Sequence, residues 1–164
     1  CIPLDPYYLT WKAREFGFHT SMIESSMIIN DRMPEYCCQR AMRILNVRKK
    51  ALNGANVLVL GVAYKQDIDD YRESPALRVI ECLKASGAEV TYYDPYVSAY
   101  RFEGQEHSGL PELTAEALEK SDLVVVTTAH TTVDYDFVAE HAPLIFDTKN
   151  AMKDVTKREN LFLL

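Results

Sequence analysis

The sequence predicts an α/β protein, with a parallel-sheet domain over residues 54–164 preceded by a helical segment over residues 1–53. Three observations predict it. Four short runs, at 57–60, 89–93, 123–126 and 144–146, are apolar, β-branched or aromatic, and segments with helical spacing separate them. Alternation of that kind belongs to a parallel sheet covered on both faces. The first 50 residues contain no such run and instead follow helical periodicity. The charge also breaks between the two parts. Residues 1–53 carry eight basic and five acidic side chains, and residues 54–164 carry ten and nineteen. The boundary is expected near Asn53-Gly54. A chain of 164 residues can bury one ordinary core plus an appendage.

The first helix is predicted over 6–16. Asp5 is the expected N-cap, Pro6 suits the first helical position because its missing N–H is an orphan there anyway, and Gly17 is the stop. Ser21-Met22-Ile23-Glu24 is a capping-box pattern that predicts the start of a second helix. Pro34 either kinks that helix or begins another after Asn30-Asp31. Beyond it, Cys37, Ala41, Ile44 and Leu45 keep helical spacing. Met22, Ile23, Met27, Ile28 and Ile29 nearly encircle the second helix. A helix apolar on all sides is buried on several of them, so a second copy or another domain is expected to cover it.

In the second part the first strand is predicted at 57–60. Ser74 caps and Pro75 starts a helix that ends at Gly87. A strand follows at 89–93, then a helix capped by Thr114 and running to Lys120. A strand at 123–126, a short helix around 137–140 and a strand at 144–146 complete the pattern, and the apolar tail 160–164 docks or forms a last strand. Residues 97–111 lack periodicity and are expected to be a loop. The crossovers should be right-handed. The arrangement is Rossmann-like, but strand one is followed by Gly61-Val62-Ala63-Tyr64-Lys65 and not by the glycine-rich dinucleotide fingerprint.

Composition excludes several function classes. A net charge of −6 argues against a broad nucleic-acid surface. No apolar run approaches the roughly 20 residues of a membrane span, and no hydrophobic leader opens the chain. Cys1, Cys37, Cys38 and Cys82 form no CxxC and no metal-ligand spacing, so no metal is expected. Reduced thiols of a cytoplasmic protein are the simplest account of them.

Ligands of open parallel sheets bind beyond the carboxyl ends of the strands. The sequence puts Tyr64 and Lys65, Asp94, Thr127, Thr128 and His130, and Asp147 and Lys149 at those ends. Two lysines and a histidine on one rim form a candidate anion site, with a nucleoside diphosphate as a natural guest. The alternative is that Lys65 and Lys149 merely neutralise Asp67, Asp69 and Asp147. At the other end of the chain, Cys1 lies four residues before Asp5, at the mouth of a helix whose positive end favours a thiolate. An ordinary cysteine that happens to come first is the alternative there.

These segments also resemble the signatures of the UDP-glucose/GDP-mannose dehydrogenase family. Cys1-Ile2-Pro3-Leu4-Asp5-Pro6 is similar to its active-site turn, and the run from Gly61 through Lys65, Asp69, Asp70 and Arg72 to Pro75 to its second signature. Tyr93-Asp94-Pro95 and Phe146-Asp147-Thr148-Lys149-Asn150 resemble two shorter ones. The resemblance implies an enzyme that oxidises the C6 alcohol of a nucleotide sugar to a carboxylate in two NAD-dependent steps. It implies Cys1 as the nucleophile, passing through a thiohemiacetal and a thioester, with Asp5 as a carboxylate handling water or protons there. Tyr64 and Lys65 match substrate contacts, and Arg72 matches an arginine at the cofactor phosphates. Lys149 stands where many relatives carry arginine; it balances phosphate charge without a planar bidentate contact. The local sequences look most like the bacterial branch acting on UDP-N-acetylhexosamines, which feeds capsule and O-antigen polysaccharides, with UDP-glucose as the other substrate. Relatives carry an N-terminal NAD domain upstream of these motifs. The chain is therefore expected to be a C-terminal part that is inactive by itself and dimerises through its helical segment. The alternative is a stand-alone nucleotide-sugar-binding or oligomerisation module.

Overall fold

The computed structural model describes residues 4–164. Three helices come first: α1 (Asp5–Glu15), α2 (Ser21–Asp31) and α3 (Met33–Val47). The α/β part follows as β1 (Asn56–Leu60), α4 (Pro75–Ala85), β2 (Glu89–Tyr93), β3 (Ala99–Phe102), β4 (Gln105–Ser108), α5 (Ala115–Lys120), β5 (Leu123–Val126), α6 (Tyr135–His141), β6 (Ile145–Asp147) and β7 (Leu161–Leu163). Five strands form one sheet in the order β2-β1-β5-β6-β7, and every pair is parallel. This is the predicted Rossmann-like architecture, with the apolar tail as its last strand.

The register explains where the site must lie. Leu60 pairs with both Tyr93 and Val126, and Val126 pairs with Asp147. The carboxyl ends of β1, β2, β5 and β6 are therefore level, and the loops after them emerge side by side. Side-chain alternation splits the core. Val57, Val59, Val125 and Phe146 pack with α3 and α4, while Leu58, Leu60, Val124, Val126 and Ile145 pack with α5 and α6. Cys37, Cys38, Ala41, Ile44 and Leu45 of α3 belong to the first cluster, so the third helix covers the sheet itself.

Several local signals act as expected. Ser74 Oγ accepts from the Ala76 amide, Thr114 Oγ1 accepts from the Ala117 amide, and Pro75 stands in the first turn of α4. Pro34 begins a new helix instead of kinking α2, and Arg32 is the shared residue between them. After α1, Gly17 N–H donates to Arg14 and Phe18 N–H to Ala13, the paired bonds of a glycine stop.

Other signals are overridden. Asp5 is the first residue of α1 and not its cap; Leu4 holds the cap position without a side-chain bond. The carboxylate is left to act on the helix dipole from the first turn. The capping box does not form either. Thr20 precedes α2, and Glu24 instead accepts from Arg14 Nη2 at 2.8 Å, tying α2 to α1. The expected loop at 97–111 contains the antiparallel hairpin β3–β4. Its turn is Glu103-Gly104, both at positive φ, the combination that two-residue hairpins need. Tyr100 secures it, with ring centroids 5.1 Å from Tyr92 and 4.9 Å from His107. The apolar excess of α2 stays largely uncovered: Met22 is 85% exposed and Ile29 65%, while Met27 is buried.

Candidate functional site

The loop after β1 is held by a carboxylate from the end of β2. Asp94 is buried, and its Oδ2 accepts from the amides of Val62 (2.7 Å) and Ala63 (3.0 Å). Its Oδ1 accepts from the amides of Tyr96 (2.9 Å) and Val97 (3.0 Å). Burial pushes the Asp94 carboxyl up, but the His130 ring and the amides of Tyr96, Ala63 and Val62 outweigh that and hold it below its ordinary value. His130 is completely buried. Its Nδ1 accepts from the Asp67 amide at 2.9 Å, so the proton sits on Nε2 and is donated to Asp94 Oδ2 at 3.0 Å. Asp67 in turn accepts from both the amide and the hydroxyl of Thr131, each at 2.9 Å. His130 is thus a clamp between the loops after β1, β2 and β5, not the rim cation expected from its position in sequence. A strand end marks which loop a residue occupies, not which way its ring turns.

Further bonds tighten the same loop. Thr128 Oγ1 and Ser74 Oγ both donate to the Ala63 carbonyl, at 2.7 and 3.3 Å, and Thr127 Oγ1 donates to the Gly61 carbonyl. The Tyr64 amide donates to the Asp70 carbonyl at 2.7 Å. After β6, Asp147 accepts from the amides of Lys149 (2.8 Å) and Met152 (2.9 Å). Both lysine-bearing loops therefore have fixed backbones.

Between them opens a cleft of about 400 Å³. Tyr64, Lys65, Thr127, Thr148 and Lys149 line it from the strand ends, Ser74, Pro75, Ala76 and Arg78 from α4 and its cap, and Asp31, Met33 and Cys37 from the end of α2 and the start of α3. Tyr64, Lys65 and Lys149 are thus brought together as expected. Among the described residues neither lysine has a carboxylate partner within ion-pair distance. Of the three expected neutralisers, Asp67 is instead satisfied by Thr131 and Asp147 by backbone amides, and Asp69 forms no ion pair with either lysine among the described residues. Lys65 Nζ sits 5.7 Å from the Tyr64 ring centroid, a cation–π contact that leaves its donors available. Burial pushes the Cys37 thiol up, with Lys149 a lesser opposing influence, so this thiol is a wall of the cleft.

The start of α4 points at the cleft without free amides. Pro75 has none, Ala76 N–H goes to Ser74 Oγ and Leu77 N–H to Ser74 O. On that side of the cleft, side chains supply the donors for an anion. Arg78 is one that sequence reasoning missed. The available signal was its place one turn after Pro75, on the same helix face.

The other expected site residues lie elsewhere. Cys1 falls outside the described residues. Asp5 is exposed on α1 and does not line the cleft. Arg72 is exposed and forms a salt bridge, with Nε and Nη2 each 2.9 Å from Asp70. The Arg72 hydrogen bonds hold the Asp70 carboxyl down at about 2. The described residues do not by themselves form a dinucleotide cradle. No glycine-rich turn follows β1, the α4 amides are used internally, and Arg72 is engaged by Asp70.

Comparison with known proteins gives consistent matches. The family model described as the UDP-glucose/GDP-mannose dehydrogenase family, UDP binding domain, matches residues 58–154. Protein CapL of Staphylococcus aureus is 33% identical over 154 residues, which cover 91% of this chain and 36% of CapL. The UDP-N-acetyl-D-mannosamine dehydrogenase of Methanococcus maripaludis is 32% identical over 162 residues, covering 93% of this chain and 35% of that protein. The structure of a UDP-N-acetylmannosamine dehydrogenase from Pyrococcus horikoshii superposes with a TM-score of 0.80 at 28% identity, over 99% of this chain and 37% of that one. The chain thus spans about a third of the length of the curated relatives it matches.

Proposed function

Because this chain belongs to the UDP-glucose/GDP-mannose dehydrogenase family, we propose that its cleft binds the diphosphate of a UDP-sugar for an NAD-dependent 6-dehydrogenase. The observation that carries this is Lys65 and Lys149, unpaired with any carboxylate among the described residues and converging on one cleft at the carboxyl ends of β1 and β6. Ammonium groups without protein counter-charges offset phosphate charge at little reorganisation. Tyr64 adds a ring beside Lys65, able to pack against the ligand. The substrate class is a UDP-N-acetylhexosamine, in keeping with the named relatives, and UDP-glucose is the comparison ligand.

Calorimetry with UDP tests the site directly. A saturable exothermic signal is expected, and no response at millimolar UDP overturns the reading. Lys65→Met and Lys149→Met should each weaken UDP binding about tenfold, the usual loss for one charge-assisted contact. Wild-type affinity in both variants would count equally against it.

The catalytic half of the proposal rests on the N-terminal turn. Cys1 serves as nucleophile to the oxidised C6 carbon, and Asp5 orders water or a proton at the resulting acyl group. Arg72 contacts cofactor phosphates after exchanging its Asp70 partner. NAD itself is held mainly by the N-terminal domain that the family resemblance implies upstream of these motifs. The purified 164-residue chain is therefore expected to form no NADH from NAD and UDP-sugars, and turnover would overturn that division of labour. Residues 1–53 form the helical segment and residues 54–164 the UDP-sugar domain of a cytoplasmic homodimer. The exposed Trp11, Met22, Ile28 and Ile29 are the surface such a dimer would bury. Among the described residues no helix is long and apolar enough to cross a membrane.

A further inference from the structure

We propose that Arg78 is a third ligand-contacting cation of the cleft and sets its preference for a diphosphate over a monophosphate. The inference rests on the reading of the cleft as a nucleotide site and adds a residue that neither the motifs nor the resemblance assigned. Three facts carry it. Arg78 lines the same cleft as Lys65 and Lys149, from a different element. Among the described residues it has no carboxylate within ion-pair distance. The helix start from which it projects has spent its own amides on Ser74, so a phosphate on that side needs a side-chain donor.

The surrounding charges fix what Arg78 adds. Two carboxylates line the cleft, Asp31 and Glu73. Asp31 Oδ2 accepts from the Tyr7 hydroxyl at 2.7 Å, so it is already engaged by α1. Arg78 reaches the cleft from α4, the helix that packs against α3. Lys65 and Lys149 reach it from the loops after β1 and β6. Cations supplied by three separate elements can meet two phosphates in series, where one phosphate would leave a cation unused. A guanidinium also presents a planar fork that can hold two oxygens of one phosphate, which an ammonium cannot do.

The test compares UDP with UMP on the 164-residue chain by calorimetry, in wild type, Arg78→Met, Arg78→Gln and the surface control Arg101→Met. Arg78 is exposed on its helix, so both replacements should fold, and either one folded suffices. Loss of Arg78 is expected to weaken UDP about tenfold and UMP no more than about twofold, the loss of one charged contact that only the second phosphate makes. The control should change neither. Equal losses for UDP and UMP, a UDP loss below twofold, or a matching loss in Arg101→Met overturns the inference. Absence of UDP binding to the wild-type chain fails the underlying nucleotide reading instead, and the inference falls with it.

Discussion

Asp94→Ala is expected to destabilise the chain by about 3–5 kcal/mol, the range for removing one member of a buried charged network. Asp94 is 4% exposed and accepts from four backbone amides and one imidazole. Truncation leaves all five donors without their acceptor in a region closed to water, so the loss is the desolvation of what remains. Asp94→Asn should be nearly as damaging, because an amide nitrogen would face N–H donors. Urea unfolding with an unchanged slope and a lowered midpoint is the expected readout, and an unshifted midpoint would refute the role. The effect has a pH signature. The folded carboxyl lies below its ordinary value, so its stabilisation is complete above the unfolded pKa near 3.9 and is lost as pH falls through the folded pKa. The gap between wild type and Asp94→Ala should be constant from about pH 5 to 8 and close under more acid conditions. UDP binding should weaken as well, because Asp94 holds the backbone of Val62 and Ala63, just ahead of Tyr64 and Lys65.

Gly61→Ala is expected to cost about 3–5 kcal/mol, as the sum of a strained backbone and an overpacked contact. Gly61 has φ +87, and a Cβ there would lie 2.5 Å from Thr128 Cβ and 2.7 Å from Thr128 O. Two of the three nearest obstacles are backbone atoms of an anchored loop, so no rotamer change relieves them. Gly104→Ala separates the two contributions. Gly104 has a similar φ of +81, but a Cβ there would meet nothing within 4 Å. That variant should cost only about 1–2 kcal/mol for the left-handed backbone. Equal losses at the two positions, measured by thermal or urea unfolding, would mean that contact with Thr128 contributes nothing. The close approach of Gly61 to Thr128 is also what brings the loop after β1 against the loop after β5, beside which the cleft opens.

Local signals were readable in proportion to how local their causes are. Ser74-Pro75 and Thr114 begin helices because the capping atoms are within three residues of the amides they serve. The strands of the parallel sheet follow from apolar runs that need cover on both faces. Asp5 and Ser21 were misplaced because Leu4 and Thr20 took the cap positions without using a side chain, and Glu24 found Arg14 across the helix pair. The hairpin at 99–108 escaped because Glu103-Gly104 is a weak turn signal, and the hairpin is held by Tyr92, which belongs to β2 and not to the hairpin itself.

The sequence by itself determined the α/β class, the order of the sheet-forming runs, the family, and Tyr64, Lys65 and Lys149 as neighbours on the strand-end rim. Periodicity, caps and motifs are properties of contiguous residues, and strand ends in a parallel sheet all face one side. Only the tertiary structure decided which charges on that rim are spent and which are free. It turned His130 inward to Asp94, gave Asp67 to Thr131, and left Lys65, Lys149 and Arg78 facing the cleft. Pairing depends on which loops come within hydrogen-bond reach after folding, and the bonds between residues 67 and 130 or 94 and 62 cross separations that no local pattern encodes.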